Sequence, residues 1–227
     1  MQGVLGFGFG LMAAGLLPWL LGVKGAVPVV ATMALLVNGT LMVRFRHHVS
    51  FGDARPLILG ALVGAPIGVF ALRSASPGHL MVALGLVILA YVGRTLSRRT
   101  TPEPMGSVSG AVLGTLAGVL GGAFSTAGPP SVVWVSTQPW SSQQLRATLV
   151  TLFAVVGALQ VSLLIRAGML TTDTGLTAAI IAPAAALGSF VGARLGDRVP
   201  QDKFQRLMLA GLGVLACTFI FNGLRDG

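Results

Sequence analysis

The stretch Leu120-Gly-Gly-Ala-Phe-Ser-Thr-Ala-Gly-Pro-Pro130 lies in the middle of an uncharged run from Pro104 to Leu145. That run has 42 residues. A membrane-spanning helix needs only about 20, with a range of about 17–25, so one helix cannot absorb it. Gly128-Pro129-Pro130 interrupts the run, and Pro139 interrupts it again. Proline has no N–H to continue a helical ladder and its ring clashes with the preceding turn. Between the double proline and the next breaker only Ser131–Gln138 remains, which is half a span. The run reads as a helix, a break near membrane depth, and a shorter helix returning.

On either side the charges divide the chain into further uncharged runs. These are Met1–Val23, Gly25–Val43, Pro56–Leu72, Leu80–Gly93, Ala147–Ile165, Thr174–Ala193 and Leu207–Leu224, and most fit one helix each. Hydrophobic residues make up 54% of the 227, and charged residues 9%. A soluble domain usually carries about 25% charged residues. This chain cannot cover a globular surface with polar groups, so lipid must solvate most of it. The formal charge of +9 would suggest nucleic acid in a soluble protein. Here the basic residues stand singly or in small groups between apolar runs, which is membrane-flank anchoring. No nucleic-acid partner is expected. Cys217 stands alone in an apolar run and offers neither a disulfide nor a metal site, so it reads as packing. Met1–Val23 has no basic residues ahead of its apolar stretch, so a cleaved signal peptide is not expected.

The first half of the chain resembles the second. Gly6, Gly10 and Pro18 match Gly118, Gly122 and Pro130 at one constant offset. Ala31-Thr32 matches Ala147-Thr148, Gly64–Gly68 matches Gly188–Gly192, and Pro77 matches Pro200. Repeated halves with interrupted helices mark transporters, with the site at the repeat interface. Residues 1–99 form the first repeat and 100–227 the second, together one transmembrane domain. Suppose that Met1–Val23 and Pro104–Leu145 each enter and leave on one side, and that every other run crosses once. Eleven basic residues then share one face: Arg44, Arg46, Arg55, Arg94, Arg98, Arg99, Arg146, Arg194, Arg198, Lys203 and Arg206. Lys24, Arg73, Arg166 and Arg225 lie on the other. Eight simple crossings give almost no bias, so the positive-inside rule favours the first arrangement. The expected fold is an all-α polytopic membrane protein of two inverted repeats. Each repeat is a broken, re-entrant helical hairpin plus three transmembrane helices, with both termini outside.

All six acids, Asp53, Glu103, Asp173, Asp197, Asp202 and Asp226, fall in or near predicted loops, as do His47, His48 and His79. Intramembrane acids are the usual proton relays and cation ligands. Their absence argues against a metal transporter, a carboxylate-coupled antiporter and an intramembrane protease. It leaves anions and neutral solutes. No metal, cofactor or catalytic residue is expected, and the chain does not read as an enzyme.

The break itself suits an anion. Gly121 and Gly122 expose backbone, Ser125 and Thr126 add hydroxyl donors, and Gly128 and Ser131 flank the prolines that begin the next helix. A helix N-terminus has free N–H groups and a positive dipole end. Gly8 and Gly10 form the matching turn of the first half and are expected opposite. Arg146 begins the helix after the break and either attracts the anion or marks the interface. Asn38 and Gln160 lie well inside predicted spans, where a polar side chain needs a partner. Interhelical hydrogen bonding is the plain reading of both, and Asn38 is carried forward as a candidate substrate contact. Gly106, Gly110, Gly114, Gly118 and Gly122 recur every fourth residue. They form a flat stripe suited to close helix packing within the chain or in a homo-oligomer.

These residues resemble the sulfite exporter TauE/SafE family, also called the 4-toluene sulfonate uptake permease family. The resemblance rests on the Gly-rich stretch followed by Pro in both halves, Gly6–Pro18 and Gly118–Pro130. It rests also on Leu145-Arg-Ala-Thr148 and on Gly188–Gly192 followed by Ala193-Arg194. It implies a secondary transporter or facilitator in the bacterial inner membrane, and export of sulfite, sulfonate or sulfoacetate from a midplane site where the two hairpin tips meet. The chain departs from the family pattern at its start. Only five residues precede Gly6, and Leu-Met-Ala-Ala14 replaces a more glycine-rich run. The alternative is a membrane assembly or scaffold protein whose glycine faces serve packing alone.

Overall fold

The computed structural model describes residues 13, 16–97, 104–172, 176 and 201–225. Among these, all regular structure is helical. Helix α1, Pro18–Phe45, passes through a short 3-10 turn, Arg46–His48, and leads to α2, Phe51–Ser74. Then come α3, Pro77–Ser97, α4, Ser107–Phe124, and α5, Gly128–Val135. Helix α6 is Ser142–Arg166 and α7 is Gln201–Arg225. Among the described residues, four helices, α1 with its 3-10 turn, α2, α4 and α6, are long and apolar enough to cross a membrane. At 1.5 Å per residue the shortest of them, α4, is about 27 Å long, close to the roughly 30 Å of a bilayer's hydrocarbon core. Leu20, Leu59, Val63, Phe70 and Val108 lie exposed on their outer faces, where lipid solvates apolar side chains at no cost.

Side-chain bonds between helix ends set the directions. The Lys24 ammonium near the start of α1 donates to the Arg73 carbonyl at the end of α2, 3.1 Å away. The Gln144 amide at the start of α6 donates to the Ser50 hydroxyl just before α2, at 3.4 Å. Helix α3 and α7 pack antiparallel, since Gly85 faces Ala216 and Ile220 while Gly223 faces Gly78 and Val82. Lys24, Arg73, Arg166 and Arg225 therefore stand at one end of the bundle. Arg44, Arg46, Arg55 and Arg146 stand at the other, as do the helix positions of Arg94, Lys203 and Arg206. This is the division that the charge pattern predicts for these residues. Arg98, Arg99, Arg194 and Arg198 lie outside the described residues.

Helix α4 and α5 form a hairpin that opens towards the Arg46 end. At its mouth the Met105 N–H donates to the Thr137 hydroxyl at 3.1 Å, and the Gln138 amide donates to the Met105 carbonyl at 3.0 Å. The Trp134 indole N–H donates to the Gly106 carbonyl at 3.3 Å. The run from Pro104 to Leu145 thus enters and leaves at one end. The matching hairpin expected of the first half, with Gly8 and Gly10, falls on residues outside those described.

Glycine decides how the halves meet. Helix α2 and α4 run parallel with their backbones in contact. A Cβ at Gly60, Gly64 or Gly68 would strike the Ala111, Thr115 or Val119 carbonyl, and one at Gly114, Gly118 or Gly122 would strike Leu57, Ala61 or Ala65. Glycine costs up to about 1 kcal/mol in a helix interior. In lipid, where helices gain nothing from burying apolar surface, close backbone packing offsets that. The α4 stripe is not used uniformly. Gly110 instead admits the Trp134 ring from α5, and a Cβ at Gly106 would meet nothing within 4 Å. Cys217, expected as packing, is exposed on α7.

Candidate functional site

Helix α4 ends at Ser125, whose φ of 56° and ψ of 28° are left-handed. It is the only non-glycine residue with positive φ among those described. Such a conformation costs about 1–2 kcal/mol for a residue with a Cβ, so its surroundings must hold it. The Ser125 N–H donates to the Gly121 carbonyl at 2.8 Å and the Thr126 N–H to the Leu120 carbonyl at 3.3 Å, which satisfies two orphan carbonyls of the helix end.

The turn aims the Ser125 hydroxyl into the bundle. It lies 3.4 Å from the Val27 carbonyl on α1 and 3.4 Å from the Gln160 Oε1 on α6. The Gln160 amide donates to the Gly122 carbonyl at 3.1 Å and to the Ser125 hydroxyl at 3.0 Å. Gln160 is 2% exposed. Three helices thus meet at a small polar knot inside an apolar bundle. The hydroxyl has one proton and two acceptors at long distance, so that proton is weakly committed. Thr126, also 2% exposed, has a hydroxyl oxygen with no hydrogen-bond partner. A buried polar atom of this kind costs about 1–3 kcal/mol unless something satisfies it.

The other sequence candidates fall into distinct places. Gly121 lets Ala127 fold back on α4, since a Cβ there would stand 3.2 Å from the Ala127 Cβ and 3.1 Å from a Val156 methyl. Gly122 has its Cα against α2, so its carbonyl belongs to the knot but its side-chain position does not. Gly128 begins α5, and Pro129 and Pro130 follow with no N–H to offer. The free N–H supply of this helix start is therefore smaller than its dipole suggests. Ser131 is fully buried, and its hydroxyl donates to the Ala127 carbonyl at 2.8 Å. Asn38 is buried on α1 eleven residues beyond Val27, about 16 Å along the axis. Arg146 stands fourteen residues before Gln160 on α6, about 21 Å away. The break unites Gly121, Gly122, Ser125, Thr126 and Gly128, but not Asn38 or Arg146.

Sequence reasoning had singled out Gln160 as a buried polar group in want of a partner, without linking it to the break. The Val27 carbonyl carried no signal. The knot is off-centre, since Gln160 is eighteen residues from Ser142 but only six from Arg166.

The chain is 28% identical over 224 residues to the probable sulfite/organosulfonate exporter TauE of Cupriavidus necator, an alignment covering 93% of this chain and 86% of that protein. No solved structure matches it. The family model of the sulfite exporter TauE/SafE family matches residues 1–219, and the chain belongs to that family.

Proposed function

We propose that this protein exports a small sulfur oxyanion or organosulfonate, of the sulfite, sulfonate or sulfoacetate type, and that the anion binds at the break between α4 and α5. The coarser statement, a multi-pass membrane transporter of anions, follows from family membership. The observation that supports binding at the break is the Thr126 hydroxyl, buried and unpartnered next in sequence to the weakly held Ser125 proton. An anion entering lipid depth needs several preorganised donors. Two hydroxyls, the Gly128 N–H and the positive end of α5 supply them at the break itself. The relative from Cupriavidus necator, named for sulfite and organosulfonates, supports the sulfur chemistry. The residues named here bind and release the ligand, and no bond-breaking step is asked of them.

Purified protein in liposomes loaded with sulfite should release it, and external methanesulfonate should compete. Liposomes that retain every sulfur anion tested would leave only the scaffold reading. The proposed arrangement has inverted repeats, with the Arg46 end in the cytoplasm. Cysteines placed at positions 98 and 198 should then label from the cytoplasmic side and one at position 73 from outside, and labelling of 98 and 198 from opposite sides would end it.

A further inference from the structure

Helix α1 is interrupted at Gly22, where φ is 67° and ψ is 166°, a region that only glycine enters without strain. The regular helix begins just after it, which puts Lys24 in the first turn. A cation there opposes the dipole of its own helix. Its ammonium reaches across to the carboxyl-terminal end of α2 and donates to the Arg73 carbonyl at 3.1 Å. One of three N–H donors is used in this bond. Three residues further along α1 is Val27, whose carbonyl faces the Ser125 hydroxyl of the break. The backbone of Lys24 thus lies three residues, roughly 5 Å along the axis, outward of Val27, and its flexible stem carries the ammonium to the α2 end. Arg146, the cation expected from sequence to attract the anion, stands at the opposite end of the bundle.

We propose that Lys24 is the specificity-determining cation of the binding site, pairing with the anion on the side of the break that faces the Arg73 end. The inference rests on the transport reading above. The hydroxyls of Ser125 and Thr126 do not distinguish an anion from a neutral sulfoxide or amide, because they donate to both. A nearby ammonium does distinguish them. It also suits release, since a lysine head on a flexible stem is readily rehydrated and can swing back to the Arg73 carbonyl.

The test separates this role from capping of α2. Lys24→Gln keeps a donor for the Arg73 carbonyl and removes the charge, and Lys24→Arg keeps the charge. Binding of sodium methanesulfonate to purified protein should weaken about tenfold in Lys24→Gln and stay within about threefold of the wild type in Lys24→Arg. The melting temperature of Lys24→Gln should stay near the wild type's. The dependence of affinity on ionic strength should flatten in Lys24→Gln alone. A measurement without substitution stands beside these. Lys24 and Lys203 are the only lysines in the sequence, so acylation of each can be followed by mass spectrometry. Methanesulfonate should slow acylation of Lys24 and leave Lys203 unchanged. Wild-type affinity in Lys24→Gln, or equal acylation of Lys24 with and without the anion, overturns the assignment. Failure of the wild type to bind any sulfur anion overturns the transport reading, and the assignment with it.

Discussion

Gly121 and Gly122 are neighbours on one helix, yet they do different things. Gly122 belongs to the face of α4 that lies against α2, where a Cβ would strike the Ala65 carbonyl. Gly121 lies on the face that the chain folds back over after Ser125, close to Ala127 and Val156. The first face is backbone against backbone, with its polar groups satisfied along each helix. The second ends in a left-handed serine, a buried glutamine amide and an unpartnered threonine hydroxyl. Both faces are glycine-lined, and only one presents polar atoms that a ligand could complete. On α4, then, glycine marks closeness on both faces, and the polar atoms at the break mark only one of them as open to a ligand.

The largest effect should come from the packing face. Gly118→Val drives a branched side chain into the Ala61 backbone and should cost about 3 kcal/mol, the upper end for overpacking, seen as loss of the monodisperse peak on size exclusion. Gly122→Val should behave alike, through Ala65, and lose anion binding only together with its fold. A folded Gly122→Val protein that no longer binds would mean that the packing face also lines the site.

Next comes Gln160→Leu. It leaves the Gly122 carbonyl and the Ser125 hydroxyl without their shared partner, and should cost about 1–3 kcal/mol in thermal or denaturant unfolding. Flux should fall by more than about tenfold as the left-handed turn loses its support. Unchanged flux with lowered stability would confine Gln160 to a structural role.

Thr126→Val sharpens the comparison further because the two readouts should move in opposite directions. Removing an unpartnered buried hydroxyl at constant shape should leave the melting temperature unchanged or raise it. Anion affinity should fall by about tenfold or more, from loss of a hydrogen bond to a charged ligand. A drop in melting temperature with intact affinity would show that the hydroxyl serves the fold.

The smallest effect is expected at Arg146→Gln. Its backbone stands about 21 Å from Gln160 along α6, at the far end of the bundle, where solvent at physiological salt screens its charge over about 8 Å. Affinity measured at that ionic strength should change by less than about twofold. A tenfold loss would bring the other end of the bundle into the site.

Much of the architecture was legible because it depends on the chain alone. Charge spacing located the runs, and a 42-residue uncharged run with a double proline had to turn back. The positive-inside count then predicted which helix ends belong together, and the bond from Lys24 to Arg73 and the antiparallel fit of α3 and α7 agree with it. The candidate site was legible as a segment, Gly121–Gly128, but not as a set of contacts. Arg146 was grouped with it because it begins the next helix, although that beginning is at the far end of the bundle. Asn38 was grouped with it on polarity alone.

The amino-acid order by itself determined the membrane class, the position of the break and the alternation of helix directions. All three follow from local quantities: hydropathy over a span, the missing N–H of proline, and charge next to each span. Only the tertiary structure decided which side of α4 meets α2, that Gln160 reaches Ser125 and Gly122 rather than another helix, and that Lys24 rather than Arg146 stands near the break. These depend on how one helix is rotated and shifted against its neighbours. A glycine stripe permits several such registers, and the summed packing of the whole bundle selects among them.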